Sequence, residues 1–309
     1  GRDAFQETDT VGITMPITKS NYLVQNVKEI PRIVKEAYYI ATTGRPGPVL
    51  IDIPNDIQVH KIPYADFERL FEEKIELEGY SPTYEGHPVQ IKRAIKLIKE
   101  AKKPLIIAGA GVLKSKASKE LFEYAEKTQT PVAMTLLGLG AFPGSHELSL
   151  GMLGMHGTVP ANYATDEADL VIAAGVRFDD RIAGNPSKFI ENAKVIHIDI
   201  DPAEIDKNKR ADVPIVGDLK HVLSEINQAV EPQTHREWVE KVIEWKKEYP
   251  LGHRKVGEDK LLPQEVLQAI DDILKGDAII VTDVGQHQMW AAQYFTYQNP
   301  DSIVTSGGA

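Results

Sequence analysis

The sequence has 309 residues, 42% of them apolar and 26% charged, with a net charge of −10 and no cysteine. That balance supports buried cores under a charged surface, works against a nucleic-acid partner, whose phosphates recruit clustered Lys and Arg, and removes disulfides, iron–sulfur clusters and thiolate zinc sites. No apolar run approaches the roughly 20 residues needed to span a bilayer, the first residues lack a signal-peptide pattern, and a cytoplasmic home is expected.

In chain order, residues 27–43 place Val27, Ile30, Ile33, Val34, Ala37, Ile40 and Ala41 at helical spacing, with Pro31 tolerable in the first turn. Gly44-Arg45-Pro46-Gly47-Pro48 ends that helix, and Val49 to Ile53 reads as a buried strand closed by Pro54. Residues 55–87 are charged, turn-rich and weakly periodic, and read as a linker. Helices are then expected at 89–102, 116–128 and 218–230, the last with Asp218 as its N-cap. Strands are expected at 105–108, 132–134, 170–174, 195–200 and 213–216. The basic stretch from Lys92 to Lys103 is interrupted at helical spacing and reads as a solvated helix face. Alternation of this kind marks an α/β fold, a doubly wound parallel sheet. Residues 236–249 read as a charged helix, 262–274 as an amphipathic helix begun by Pro263, and 278–282 and 302–304 as strands. The expected division is a partial domain and linker at 1–75, a central domain at 86–230, a linker helix within 231–260 and a second partial domain at 261–309.

The chemistry gathers where strands end. Ala168 to Ala174 runs directly into Gly175-Val176-Arg177-Phe178-Asp179-Asp180-Arg181. Four charges cannot be buried there without partners, so they pair, face water or meet a charged ligand. Ligands of open α/β sheets sit at the carboxyl ends of the strands. Arginine matches phosphate and carboxylate geometry, while pairing of Arg177 and Arg181 with Asp179 and Asp180 is the plain alternative. Gly109-Ala110-Gly111 after a strand either lets backbone N–H groups approach a phosphate or is a tight turn. Asp199 at another strand end either accepts from a ribose or adenine or is a surface acid. Arg45 either meets a cofactor or caps the preceding helix, and Gln286 and His287, after a strand, either donate to a phosphate or serve the local structure alone. The nine histidines show no metal-ligand spacing, and no metal ligand is expected within this chain.

Taken together, Asp3-Ala4-Phe5-Gln6-Glu7, Thr43-Gly44-Arg45-Pro46-Gly47-Pro48-Val49, Leu153-Gly154-Met155-His156-Gly157, Gly175 to Arg181 and Val284-Gly285-Gln286-His287-Gln288-Met289-Trp290 closely resemble the acetolactate synthase (acetohydroxyacid synthase) large-subunit family of thiamine-diphosphate enzymes. The resemblance runs along the whole chain. It implies a six-stranded FAD-binding central domain flanked by parts of the two domains that bind thiamine diphosphate. The activating glutamate and the magnesium motif are expected outside residues 1–309, so this stretch alone is expected to be inactive. Asn55 stands where the family usually has lysine, and Met15 where arginine is common.

The implied reaction decarboxylates pyruvate on thiamine diphosphate and condenses the hydroxyethyl carbanion with a second 2-keto acid, giving 2-acetolactate or acetohydroxybutyrate for branched-chain amino acids. By the resemblance, Arg181 recognises the acceptor carboxylate, Gln6 donates to a developing oxyanion, and Gln286 and His287 contact the diphosphate. FAD, without a net redox role, is matched by Arg45, Gly109, Ala110, Gly111, Thr135, Leu136, Leu137, Leu153, Met155, His156, Gly175, Val176, Arg177, Asp179, Asp199, Ile200 and Asp218. Implied partners are a second or further copies (homodimer or homotetramer) and a small regulatory subunit. The alternatives are an FAD-dependent pyruvate oxidase-like enzyme and a cofactor-binding module without catalysis.

Overall fold

The computed structural model describes residues 5, 7–75, 77–253, 257 and 260–306. The chain divides into two compact units, Gly1–Thr83 and Tyr84–Ala309.

In the first unit, helices α1 (Thr10–Thr14), α2 (Ile30–Thr42), α3 (Asn55–Val59) and α4 (Tyr64–Glu72) accompany strands β1 (Ser20–Leu23) and β2 (Val49–Asp52), which pair in parallel. Val24, Ile33 and Ile57 form its small core. The expected helix and strand are present, but the expected linker at 55–87 is corrected: it contains α3 and α4. Helix α3 buries Ile57, and α4 stacks Phe67 on Phe71 while Lys35 donates to the carbonyls of Phe71 and Glu73 at its end. The distant Lys35, together with the local Phe67–Phe71 stack, stabilises a helix whose charge-rich pattern does not announce it.

The second unit runs α5 (Pro88–Glu100), β3 (Pro104–Ala108), α6 (Ala110–Lys114), α7 (Ser118–Thr128), β4 (Val132–Met134), β5 (Ser149–Met152), α8 (Val159–Glu167), β6 (Leu170–Ala174), α9 (Asp180–Ala183), β7 (Lys194–Asp199), β8 (Val213–Val216), α10 (Leu219–Ala229), α11 (Arg236–Glu248), α12 (Pro263–Leu274), β9 (Ile280–Val281), α13 (Gln286–Tyr294) and β10 (Ile303–Val304). Six strands form one parallel sheet in the order β5-β4-β3-β6-β7-β8. Counted from its first strand this is 3-2-1-4-5-6, the doubly wound order, with the chain reversing direction across the sheet between β3 and β6.

Alternate residues of β3 feed two cores. Ile106 and Ala108 pack with α5, α7 and α10 through residues such as Ile98, Leu121 and Leu223. Leu105 and Ile107 pack with α8 and α11 through Ala161, Trp238 and Trp245. Helix α11 is thus bound to the sheet, with Trp238 Nε1 donating to Pro104 O at 2.9 Å. Two further expectations are corrected. The helix expected at 116–128 begins at Ser118, because Lys116 takes a left-handed turn at φ +54° that separates α6 from α7. Strand β5 lies where no strand was expected. Among the described residues, β9 and β10 form a separate two-stranded parallel sheet, and no helix is long and apolar enough to cross a membrane.

Candidate functional site at the carboxyl edge of the six-stranded sheet

Parallel strands deliver their carboxyl ends to one edge, and the reversal between β3 and β6 leaves room there for a ligand. Gly109–Gly111 follows β3, Thr135–Leu137 follows β4, Leu153–Gly157 follows β5, Gly175–Arg181 follows β6 and Asp199–Ile200 closes β7. The structure therefore brings most of the sequence-derived cofactor positions to one edge of one sheet.

Glycine is required at the centre of this edge. Gly175 has φ +63°, and a Cβ there would lie 2.5 Å from Gly111 Cα. A Cβ on Gly111 would meet Gly175 Cα at 2.6 Å, and one on Gly109 would strike Gly175 O. The N–H groups are engaged as well: Gly109 donates to Ala174 O at 2.9 Å, Gly111 to Gly175 O at 3.3 Å and Gly175 to Ile198 O at 2.9 Å. The Gly109 and Gly111 amides thus bond to backbone carbonyls, as the tight-turn alternative expects. These glycines let two backbones pack closely; half-buried Ala110 opens α6 between them.

The arginine loop is built from alternating side chains. Val176 and Phe178 point into the core, each 2% exposed, while Arg177 and Arg181 extend outward. Arg177 pairs with Asp179 at 3.4 Å, with its side chain 56% exposed, and Arg181 lies 3.9 Å from Asp180. Asp179 Oδ1 also caps α9 by accepting from Arg181 N at 3.1 Å. Both arginines thus have an acidic neighbour and a guanidinium open to solvent. Exposed pairs of this kind are weak, about 0–1 kcal/mol, so a doubly charged ligand can displace them.

A second loop is fastened to this one. Met155 N donates to Arg181 O at 3.0 Å, and Gly154, at φ +97°, has no room for a Cβ because Arg181 O would lie 2.5 Å away. Asn162 holds Gly154 from both sides, accepting from its N–H at 2.9 Å and donating to its carbonyl at 3.0 Å. Leu153 is buried, whereas Met155 and His156 are exposed. On the β4 loop, Thr135 is buried and donates its N–H to Ala108 O; Leu136 is half-buried and Leu137 exposed.

The acids serve local structure. Asp199 Oδ1 accepts from Asp201 N at 2.9 Å, and half-buried Ile200 follows it. Asp218 caps α10 by accepting from Lys220 N and His221 N, and also from Ser115 Oγ at 2.7 Å and His221 Nδ1 at 2.9 Å. Asp218 is the expected N-cap. Both of its carboxylate oxygens are engaged within the protein.

The remaining positions fall elsewhere. Arg45 is exposed in the first unit, and Gln6 lies outside the described residues. Gln286 and His287 are exposed in the first turn of α13, after β9 and thus on the other sheet of the second unit. Helix α13 reaches the β5 loop through Gln293, which donates to His156 O at 2.7 Å. Asn162, His197, Asn208 and Gln293 are not among the expected site residues, since no local pattern marks their partners, which lie from 8 residues away for Asn162 to 137 for Gln293. Among the described residues no group of three His, Cys, Asp or Glu side chains is arranged to hold a metal ion.

Burial sets the electrostatics of β7. Desolvation pushes the His197 imidazole below its ordinary value of 6.5, outweighing nearby Asp199. Desolvation lifts the Asp199 carboxyl above 3.8. A histidine with a depressed value binds fewer protons in the fold than in the unfolded chain, so stability falls as pH drops from 6.5. Asp199 acts oppositely: its burial removes stability as pH rises through the window above 3.8. The urea midpoint should therefore fall between about pH 7.5 and 5.5, and His197→Gln should flatten that slope. An unchanged slope in the variant would assign it to other groups.

Comparison with known proteins bears on this edge directly. Residues 91–226 match the family described as "Thiamine pyrophosphate enzyme, central domain". The whole chain is 49% identical to the probable acetolactate synthase large subunit of Methanocaldococcus jannaschii, covering 53% of that protein. It is 48% identical to the acetolactate synthase large subunit of Corynebacterium glutamicum, again over the whole chain and 49% of the relative. With chloroplastic acetolactate synthase 2 of Nicotiana tabacum the identity is 47%, over the whole chain and 46% of the relative. The chain spans about half the length of these relatives.

Proposed function

The chain carries the central domain of a thiamine pyrophosphate enzyme and is related along its whole length to acetolactate synthase large subunits; from that premise we propose that it belongs to the catalytic subunit of an acetolactate synthase. The reaction removes carbon dioxide from pyruvate and joins the remaining two-carbon unit to a second 2-keto acid, pyruvate or 2-ketobutyrate. The products are 2-acetolactate and acetohydroxybutyrate, precursors of branched-chain amino acids. Thiamine diphosphate, when bound, supplies the electron sink for decarboxylation. The observation that carries the reading is the clasp between Leu153–Gly157 and Gly175–Arg181, two of the motifs on which the resemblance to the synthases rests, joined by a hydrogen bond at one sheet edge.

FAD is the ligand proposed for that edge. Arg177 offers an exposed guanidinium whose only charged partner among the described residues is a weak, solvent-exposed contact with Asp179, a donor suited to a pyrophosphate. The glycines let the β3 and β6 ends pack closely beneath that edge. Asp199, held at the mouth of β7, suits neutral hydroxyl or amine donors. Arg181 serves the carboxylate of the acceptor keto acid, Gln6 the reacting centre, and Gln286 and His287 the diphosphate of the thiamine cofactor. Magnesium would neutralise charge on that diphosphate, although the described residues hold no group of three side chains arranged to ligate it. Since the relatives are named large subunits, we extend to this chain a smaller partner subunit, with self-association as a homodimer or homotetramer in the cytoplasm.

The test is the full-length protein supplied with pyruvate, thiamine diphosphate, magnesium and FAD. Acetolactate should accumulate, and Arg181→Ala should lower kcat/KM for the acceptor by roughly 10–100-fold, the usual effect of losing a charge-assisted hydrogen bond. Rapid flavin reduction by pyruvate in place of acetolactate would assign the protein to the oxidases.

A further inference from the structure

His197, on β7, is fully buried, and its Nε2 lies 2.9 Å from Val176 O. A carbonyl only accepts, so Nε2 carries the hydrogen, and Nδ1 is left buried without a hydrogen-bond partner. A polar ring is an expensive choice for such a position unless its one bond matters. That bond falls on the arginine loop. The imidazole also meets the ring of Phe178 edge-on, with centroids 5.1 Å apart, and Phe178 meets Phe189 at 6.1 Å. Phe178 has φ +50°, a left-handed conformation that a phenylalanine holds only when its surroundings impose it. On the opposite side of the loop, Asn208 Nδ2 donates to Arg177 O at 3.0 Å.

Between these anchors the chain turns so that Val176 and Phe178 are buried and the Arg177 side chain projects over the sheet edge. We propose that His197 is a positioning residue for Arg177. Its neutral Nε2–H and its ring face together hold residues 176–178 in the left-handed turn that aims the guanidinium outward. Phenylalanine at 197 keeps the ring and loses the donor, whereas glutamine keeps a donor at similar reach and loses the ring. Only what Arg177 meets rests on the flavin reading given above; the turn itself does not.

The experiment uses the full-length protein as wild type, His197→Phe, His197→Gln and Asn208→Ala, with urea unfolding to monitor global stability. Deuterium exchange of peptides covering 176–180 reports local opening without any ligand, and flavin fluorescence titration reports FAD affinity. His197→Phe should exchange faster over 176–180 than its change in global stability accounts for, and should bind FAD about tenfold more weakly. His197→Gln should stay within about threefold of wild type in affinity. Asn208→Ala, at an exposed site, should open the same peptide more mildly. Wild-type exchange over 176–180 in both His197→Phe and Asn208→Ala overturns the proposal. Faster exchange with unchanged FAD affinity supports the positioning role and overturns flavin as the partner of Arg177.

Discussion

Gly175→Ala should lower the free energy of unfolding by about 3 kcal/mol. A left-handed conformation costs a residue with a Cβ roughly 1–2 kcal/mol, and overpacking in a close-packed interior adds about 1–3 kcal/mol. Both apply here, since Gly175 has φ +63° and its added Cβ would sit 2.5 Å from Gly111 Cα and 2.8 Å from Leu219 Cδ1. Backbone cannot give way as a side chain does, so β6 and the start of α6 have to separate. Gly79→Ala is the internal control: φ is +74° but nothing lies within 4 Å of the new methyl, leaving only the conformational cost of roughly 1 kcal/mol. Urea denaturation of both variants checks the difference. Equal losses would show that the close approach of the two backbones contributes nothing.

Arg177→Ala should weaken FAD binding by roughly 1.5–3 kcal/mol, which is about 10–100-fold, while leaving stability nearly unchanged. The asymmetry follows from the geometry. In the free protein the guanidinium is mostly solvated and touches Asp179 at 3.4 Å, a contact that contributes little. Against the proposed pyrophosphate the same group would make charge-assisted bonds, which are stronger than the exposed pair they replace. Asp179→Asn sharpens the test. It keeps an acceptor for Arg181 N while releasing the Arg177 charge, so flavin affinity should hold or rise. An unchanged affinity in Arg177→Ala would show that the arginine works only with its acidic neighbour, and the anion site at this edge would fall with it.

The elements legible in the sequence were those whose burial is written into neighbouring residues. Strands β3, β6 and β7 are buried on both faces, so they appear as runs such as Leu105–Ala108 and Leu170–Ala174. Helices α5, α10 and α12 show their apolar spacing, and Asp218 and Pro263 mark helix starts. Strand β5 was not legible: it is an edge strand, short, opened by a serine and interrupted by Gly151. Strand β1 reads Ser-Asn-Tyr-Leu and exists because β2 offers it a ladder. The site divides in the same way. Its arginines, glycines and histidine stood out as residue types unsuited to strand ends, whereas Asn162, His197 and Asn208 looked ordinary.

The sequence by itself determined the α/β class, the alternation of strand with helix, and the placing of charged and glycine-rich turns after the strands. Burial periodicity and capping are local properties, read within a few residues. Only the tertiary structure decided the strand order that sets Gly109 beside Gly175, the clasp of Met155 on Arg181, and the fate of each polar group. It set the amides of Gly109 and Gly111 on backbone carbonyls and made Asp218 a cap for its own helix. The physical reason is that a hydrogen bond satisfies whichever donor lies nearest in space. In a parallel sheet, strands adjacent in space are separated in sequence by whole crossovers, so no local pattern records which donor that will be.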